Sequence, residues 1–181
     1  MISESVLRDI FAKITEHYQT PLRLSSVCET NTFYQVEDLS EKDVELCADY
    51  ISERIIDICG IAEAPEVLIN MHKNQTALAT KLAEKLSEQC LIKSGEKIQV
   101  ISLEKVEAGN GVRNLLTGRS AMLVNDVITT ARSCLEAHSK TTLMGAKVMC
   151  WAALIDRTFG PGPVPVVAAF TGEPVTLLQK I

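Results

Sequence analysis

An apolar run, Ala121 to Val124, ends in Asn125-Asp126 and passes through Val127-Ile128 into Thr129-Thr130-Ala131-Arg132-Ser133. With Arg119-Ser120 ahead of it, this stretch says most about the chemistry open to the chain. The apolar run reads as a buried strand, and the hydroxyl-rich residues after it as the turn that opens a helix. A helix start leaves its first backbone N–H groups unpaired and carries the positive end of the helix dipole, so such a turn is suited to an anion. Thr129, Thr130 and Ser133 add hydroxyls beside those amides. Asp126 supplies a carboxylate that accepts hydrogen bonds from ribose hydroxyls. An acid next to an anion cradle suits a sugar phosphate.

Elements must position that turn. Ser5 to Tyr18 has Val6, Ile10 and Ile14 at helical spacing and predicts an N-terminal helix. Residues 22 to 39, rich in Ser, Thr and Asn, predict an extended or looped segment. A second helix is predicted to begin at the capping pattern Ser40-x-x-Asp43 and to stop at Gly60. Alternation follows: strands over Glu66–Met71, Lys97–Leu103, Arg119–Asn125 and Lys147–Ile155, with helices over Thr76–Cys90 and Ala131–Leu143. Gly160-Pro161-Gly162-Pro163 marks a turn before a last strand, Val166 to Phe170. Short apolar strands alternating with helices predict an α/β fold, a Rossmann-like parallel sheet flanked by helices, with ligands at the carboxyl ends of the strands. Two loops lie at those ends. Residues 71 to 76 carry His72 and Lys73, and the long segment Glu104 to Gly118 is expected to act as a lid.

The signature Val124-Asn125-Asp126-Val127-Ile128-Thr129-Thr130-Ala131 resembles that of the type I phosphoribosyltransferases, and among them the orotate enzymes, whose version is Val-Asp-Asp-Val-Ile-Thr-Thr-Gly. The resemblance continues through Gly145-Ala146 and the strand Val148 to Ile155 into Asp156-Arg157. It implies the family's fold with a small N-terminal hood over residues 1–39, an α/β core over 61–160, and a single domain over 1–181. It also implies transfer of phosphoribosyl from phosphoribosyl pyrophosphate to a pyrimidine base, orotate, with Mg2+ bound through the substrate diphosphate and no metal held directly by the protein. By the same resemblance Thr129, Thr130, Ala131, Arg132 and Ser133 form the 5′-phosphate cradle, Asn125 and Asp126 hold the ribose, and Arg157, Thr129 and Phe33 meet the base. His72 and Lys73 face the pyrophosphate. A homodimer is expected, because the resembling enzymes share lids between subunits.

The departures from the pattern fall on charged positions. Asn125 replaces an acid, and Ala131 replaces a glycine. Where the orotate enzymes place an Arg-Lys-Glu triplet, a further lysine and a histidine, this chain has Ser102-Leu103-Glu104, Val106 and Ala108. Lys105 and Arg113 are the remaining candidates for catalytic lid charge, together with Asp126 at the sugar. Two readings follow: a transferase, or a catalytically lapsed homologue that binds a nucleotide monophosphate as a sensor or partner subunit.

Composition limits the alternatives. The chain has 181 residues, 46% of them hydrophobic, enough for one sizeable core. A net charge of −5 and a pI near 5.3 argue against a general nucleic-acid binder. No apolar stretch approaches the roughly 20 residues that a bilayer-spanning helix needs. Six cysteines without a Cys-x-x-Cys pair, and no signal segment read at the N-terminus, predict free thiols in a cytoplasmic protein. His17, His72 and His138 are too far apart in sequence for a metal-ligand pattern. Cys134 and His138, four apart on a predicted helix, read as packing rather than as a nucleophile and its base. Gly109-x-Gly111 is too short for a dinucleotide fingerprint.

Overall fold

The computed structural model describes residues 2–25, 27–60, 64–71, 76–90, 97–108 and 111–178. Its first helix, α1 (Glu4–Lys13), buries Leu7, Ile10 and Phe11, an i, i+3, i+4 face that Ile14 extends. The expected helix to Tyr18 is cut short. Thr15 ends it by donating its hydroxyl to the Phe11 carbonyl at 2.6 Å, and the chain from Thr15 onward pairs with a strand instead. β1 (Thr15–Ser25) and β2 (Cys28–Tyr34) form an antiparallel hairpin whose register slips between His17 and Leu22. Pro21, which has no N–H for a ladder, falls in that slip. A short strand near the C-terminus, Thr176–Leu177, adds to the free side of β2, so the hood takes residues from both ends of the described chain.

After a 3-10 turn at Val36–Asp38, α2 (Glu41–Cys59) starts as predicted: the Ser40 hydroxyl accepts from the Asp43 amide at 3.1 Å. Gly60, at φ 80°, ends it. The core then alternates through β3 (Val67–Asn70), α3 (Thr76–Gln89), β4 (Gln99–Ser102), α4 (Leu103–Ala108), α5 (Arg113–Leu116), β5 (Ser120–Ile128), α6 (Arg132–Leu143), β6 (Lys147–Asp156) and β7 (Val166–Thr171). The Thr176–Leu177 strand is β8. All pairings in the five-stranded sheet are parallel, in the order β4-β3-β5-β6-β7.

Both faces of this sheet are covered, which explains the near-continuous apolar strands. Along β5 the side chains alternate: Met122 and Val124 join Ile51, Ile55, Leu82 and Leu86 under α2 and α3, while Ala121 and Leu123 join Val106, Leu116 and Ala137 under α4, α5 and α6.

The expected lid is part of this second layer. Leu103 to Gly118 connects β4 to β5 across the intervening β3; its two short helices bury Val106 and Leu116, and Val112 is buried just ahead of the second. A parallel connection must cover the sheet it crosses, and apolar residues at those positions give the segment a core role. The connection between β6 and β7 is different. Residues 157–165 join neighbouring parallel strands without a helix.

Candidate functional site

β5 runs to Ile128, three residues beyond the predicted end, because Val127 and Ile128 pair with Ile155 and Asp156 of β6. The chain leaves the sheet at Thr129 and enters α6 through Ala131, whose φ of 57° and ψ of 0° lie in the left-handed region. Among the described residues it is the sole non-glycine residue with positive φ. An L-residue there costs about 1–2 kcal/mol relative to its right-handed conformation, so the surrounding turn holds Ala131 in place. The consequence is local. The first helical bond of α6 runs from the Leu135 amide to the Ala131 carbonyl, and the amides of Arg132, Ser133 and Cys134 precede it at the positive end of the helix.

Asp126 stands half-buried two residues before the end of β5, its Oδ1 accepting from the Val127 amide at 2.8 Å. Thr129, Thr130 and Ala131 are half-buried and line a cavity of about 290 Å³ that also touches Trp151, Phe159 and Leu177. Arg132 and Ser133 are exposed on the first turn of α6, and Arg132 Nε donates to Glu136 at 3.0 Å.

Other predicted site residues are not brought to this turn. Asn125 is 7% exposed, faces the α6 layer, and its Nδ2 lies 3.8 Å from Cys134 Sγ; strand alternation sends it to the side opposite Met122 and Val124. Cys134 Sγ in turn lies 3.7 Å from Met71 Sδ, and burial pushes its thiol up to about 11. His138 turns away from it toward Trp151, edge to face at 6.1 Å between centroids, and burial lowers its pKa. Lys105 and Arg113 are exposed on α4 and α5, and neither lines the cavity. α4 is tied to Lys140 of α6 through Glu107 at 2.7 Å, ~12 Å along the helix from its start at 1.5 Å of rise per residue. His72 and Lys73 lie outside the described residues.

Arg157 departs most from expectation. It is 2% exposed, with Nε donating to the Glu173 carbonyl at 2.5 Å and Nη2 to the Thr30 hydroxyl at 2.6 Å. Its guanidinium lies 5.2 Å from the centroid of the Tyr34 ring. Burial draws its pKa below the usual arginine range. Thr30 and Tyr34 share the inward face of β2, so Phe33, expected beside Arg157, points to the other side. Gly172 completes the packing: a Cβ there would fall 2.9 Å from the Tyr34 hydroxyl and 3.1 Å from Arg157 Cγ. The guanidinium therefore joins hood to core rather than presenting itself to a ligand.

Sequence reasoning missed the cavity wall at Trp151 and Phe159. The available signal was the length of the β6–β7 connection, too short for the helix that such a crossover ordinarily carries.

The orotate phosphoribosyltransferase of Aeropyrum pernix superposes with a TM-score of 0.61 at 19% identity, covering 94% of this chain and 93% of its own. That of Mycobacterium tuberculosis H37Rv gives 0.59 at 17%, covering 93% and 95%. This is the type I phosphoribosyltransferase fold. The same fold extends to the HGPRT-ase of Leishmania tarentolae in complex with GMP, at a TM-score of 0.55 and 17% identity over 74% of this chain and 79% of that one. Neither a family model nor a curated protein sequence matches the chain. Among the described residues no helix is long and apolar enough to cross a membrane, and all six cysteines are free.

Proposed function

We propose that the chain binds a 5′-phosphorylated ribose and acts as a phosphoribosyltransferase, moving phosphoribosyl from its diphosphate to a base. The observation that carries this reading is the turn after β5. Asp126 stands at its entry, and Ala131 is held left-handed so that the first amides of α6 follow immediately. In the reaction the bond from sugar C1 to the diphosphate breaks and a base nitrogen bonds to C1, with positive charge developing on the sugar between the two events. Asp126 accepts hydrogen bonds from the ribose hydroxyls and fixes the ring while this happens. The amides of Arg132, Ser133 and Cys134, with the hydroxyls of Thr129 and Thr130, seat the 5′-phosphate. Mg2+ belongs to the diphosphate in this reading. The GMP in the Leishmania tarentolae protein supports a ribose 5′-phosphate on this fold.

Orotate as the acceptor, and a homodimer sharing its sites, are the finer parts of the proposal. The resemblance to the orotate enzymes is carried by the signature at residues 124–131 and by Arg157, and the burial of the Arg157 side chain weighs against orotate. A second reading, binding without transfer, is favoured by one observation: the segment expected to close over the diphosphate is packed as α4 and α5, with Lys105 and Arg113 exposed and away from the cavity lining.

One assay separates the two. Purified protein is given phosphoribosyl pyrophosphate, magnesium and a panel of bases including orotate, and pyrophosphate release is followed beside calorimetric binding. The transferase reading expects release above background with at least one base. Binding of phosphoribosyl pyrophosphate without release from any base selects the binding-only reading, and absence of binding rejects both.

A further inference from the structure

We infer that the group attached to the phosphorylated ribose is an uncharged planar ring, seated against Phe159 in the cavity left by the helix-free β6–β7 connection, and that a carboxylated ring such as orotate is excluded from it. The inference rests on the proposed phosphate seat and names what lies beside it. The cavity is continuous with that seat, since Thr129, Thr130 and Ala131 line one side of it. Its opposite wall comes from Trp151 on β6, Val166 at the start of β7, and Phe159, Pro161 and Pro163 on the connection between them.

The cause of the cavity is topological. A helix between β6 and β7 would fill the layer beside α6; residues 157–165 instead pass as an irregular turn whose Gly162 lies against the Trp151 ring, and leave space beside α6 open. Phe159 is 54% exposed at its mouth, a large ring without the burial that would explain it as core. Trp151 is 1% exposed, and its indole N–H has no acceptor among the described residues. That nitrogen is itself covered, so Trp151 contributes its ring to the wall and offers the cavity no donor.

Charge decides the class of ring. None of the described residues lining the cavity is charged. The guanidinium expected to meet a carboxylate is committed to Glu173 and Thr30. A carboxylate placed against Phe159, Pro161 and Trp151 would lose its water without gaining a cation, which is strongly unfavourable. An uncharged heteroaromatic ring loses little and gains stacking area. At about 290 Å³ the space sits at the lower end of the roughly 300–1,000 Å³ common for small-ligand pockets, so it suits one ring system rather than an extended cofactor.

Trp151 is the single tryptophan of the chain, so its emission reports on this wall directly. Four ligands are titrated against it and by calorimetry: ribose 5-phosphate, uridine, uridine 5′-monophosphate, and orotidine 5′-monophosphate, which differs from the third by one carboxylate. Uridine 5′-monophosphate is expected to change the emission and to bind roughly tenfold or more tightly than orotidine 5′-monophosphate. Phe159→Ala is expected to weaken it by about fivefold or more. Binding of ribose 5-phosphate together with equal or tighter binding of orotidine 5′-monophosphate overturns the ring assignment and leaves the phosphate seat standing. Failure of ribose 5-phosphate to bind, with uridine still altering the emission, has the opposite meaning: the seat is wrong and the ring site is real. No response to any of the four overturns both.

Discussion

Ala131 carries an energetic cost that a glycine would not. Its left-handed backbone is imposed by the need to turn from β5 into α6 within three residues. Ala131→Gly removes the clash between Cβ and the following carbonyl, partly offset by the greater freedom of glycine in the unfolded chain, for a net gain of about 1 kcal/mol. Urea unfolding should show a higher midpoint at unchanged slope; a lower midpoint would mean that the turn is not left-handed. Arg157 makes a different prediction at the same scale. Its hydrogen bond to Thr30 is buried and that to the Glu173 carbonyl part-buried, so Arg157→Met loses two charge-assisted bonds and should cost about 2–3 kcal/mol of stability. Had the guanidinium served a base, the variant would unfold like the parent and lose only base affinity. Calorimetric melting beside ligand titration separates the two roles.

Among the elements, those with a strong apolar pattern were legible and those defined by pairing were not. β3, β5 and β6 are short apolar runs that a parallel sheet buries on both sides, and α2 announces itself through Ser40 and Gly60. β1 offers no such pattern: Thr15 to Ser25 is polar and largely exposed, and it is a strand because β2 lies beside it. The orientation of Arg157 was hidden for the same reason, since it depends on which face of β2 holds Thr30 and Tyr34. The segment after β4 was misread through its length and its Gly and Asn residues, although Val106, Val112 and Leu116 carried the evidence of burial. Leu116→Ala tests the revised role. A fully buried leucine in a core crossover should cost about 2–5 kcal/mol in chemical unfolding, whereas a leucine on a mobile lid would cost less than roughly 0.5 kcal/mol.

For the molecule as a whole, the sheet and the hood divide the work. The sheet brings the carboxyl end of β5 and the start of α6 into a fixed relation, with residues 129–131 on one side of the cavity and the β6–β7 connection on the other. The hood, built from β1, β2 and β8, is fastened to the end of β6 through Arg157 and to the segment after β7 through Tyr34, whose hydroxyl accepts from the Glu173 amide at 3.2 Å. The phosphate turn was legible because its chemistry is written in consecutive residues. The cavity beside it was not, because it arises from a helix that the chain does not form. Crystals soaked with ribose 5-phosphate test the central claim most directly. The account predicts the phosphate at the amides of residues 132–134 and the ribose hydroxyls on Asp126; a sugar phosphate bound elsewhere, or none at the turn at saturating concentration, would contradict it.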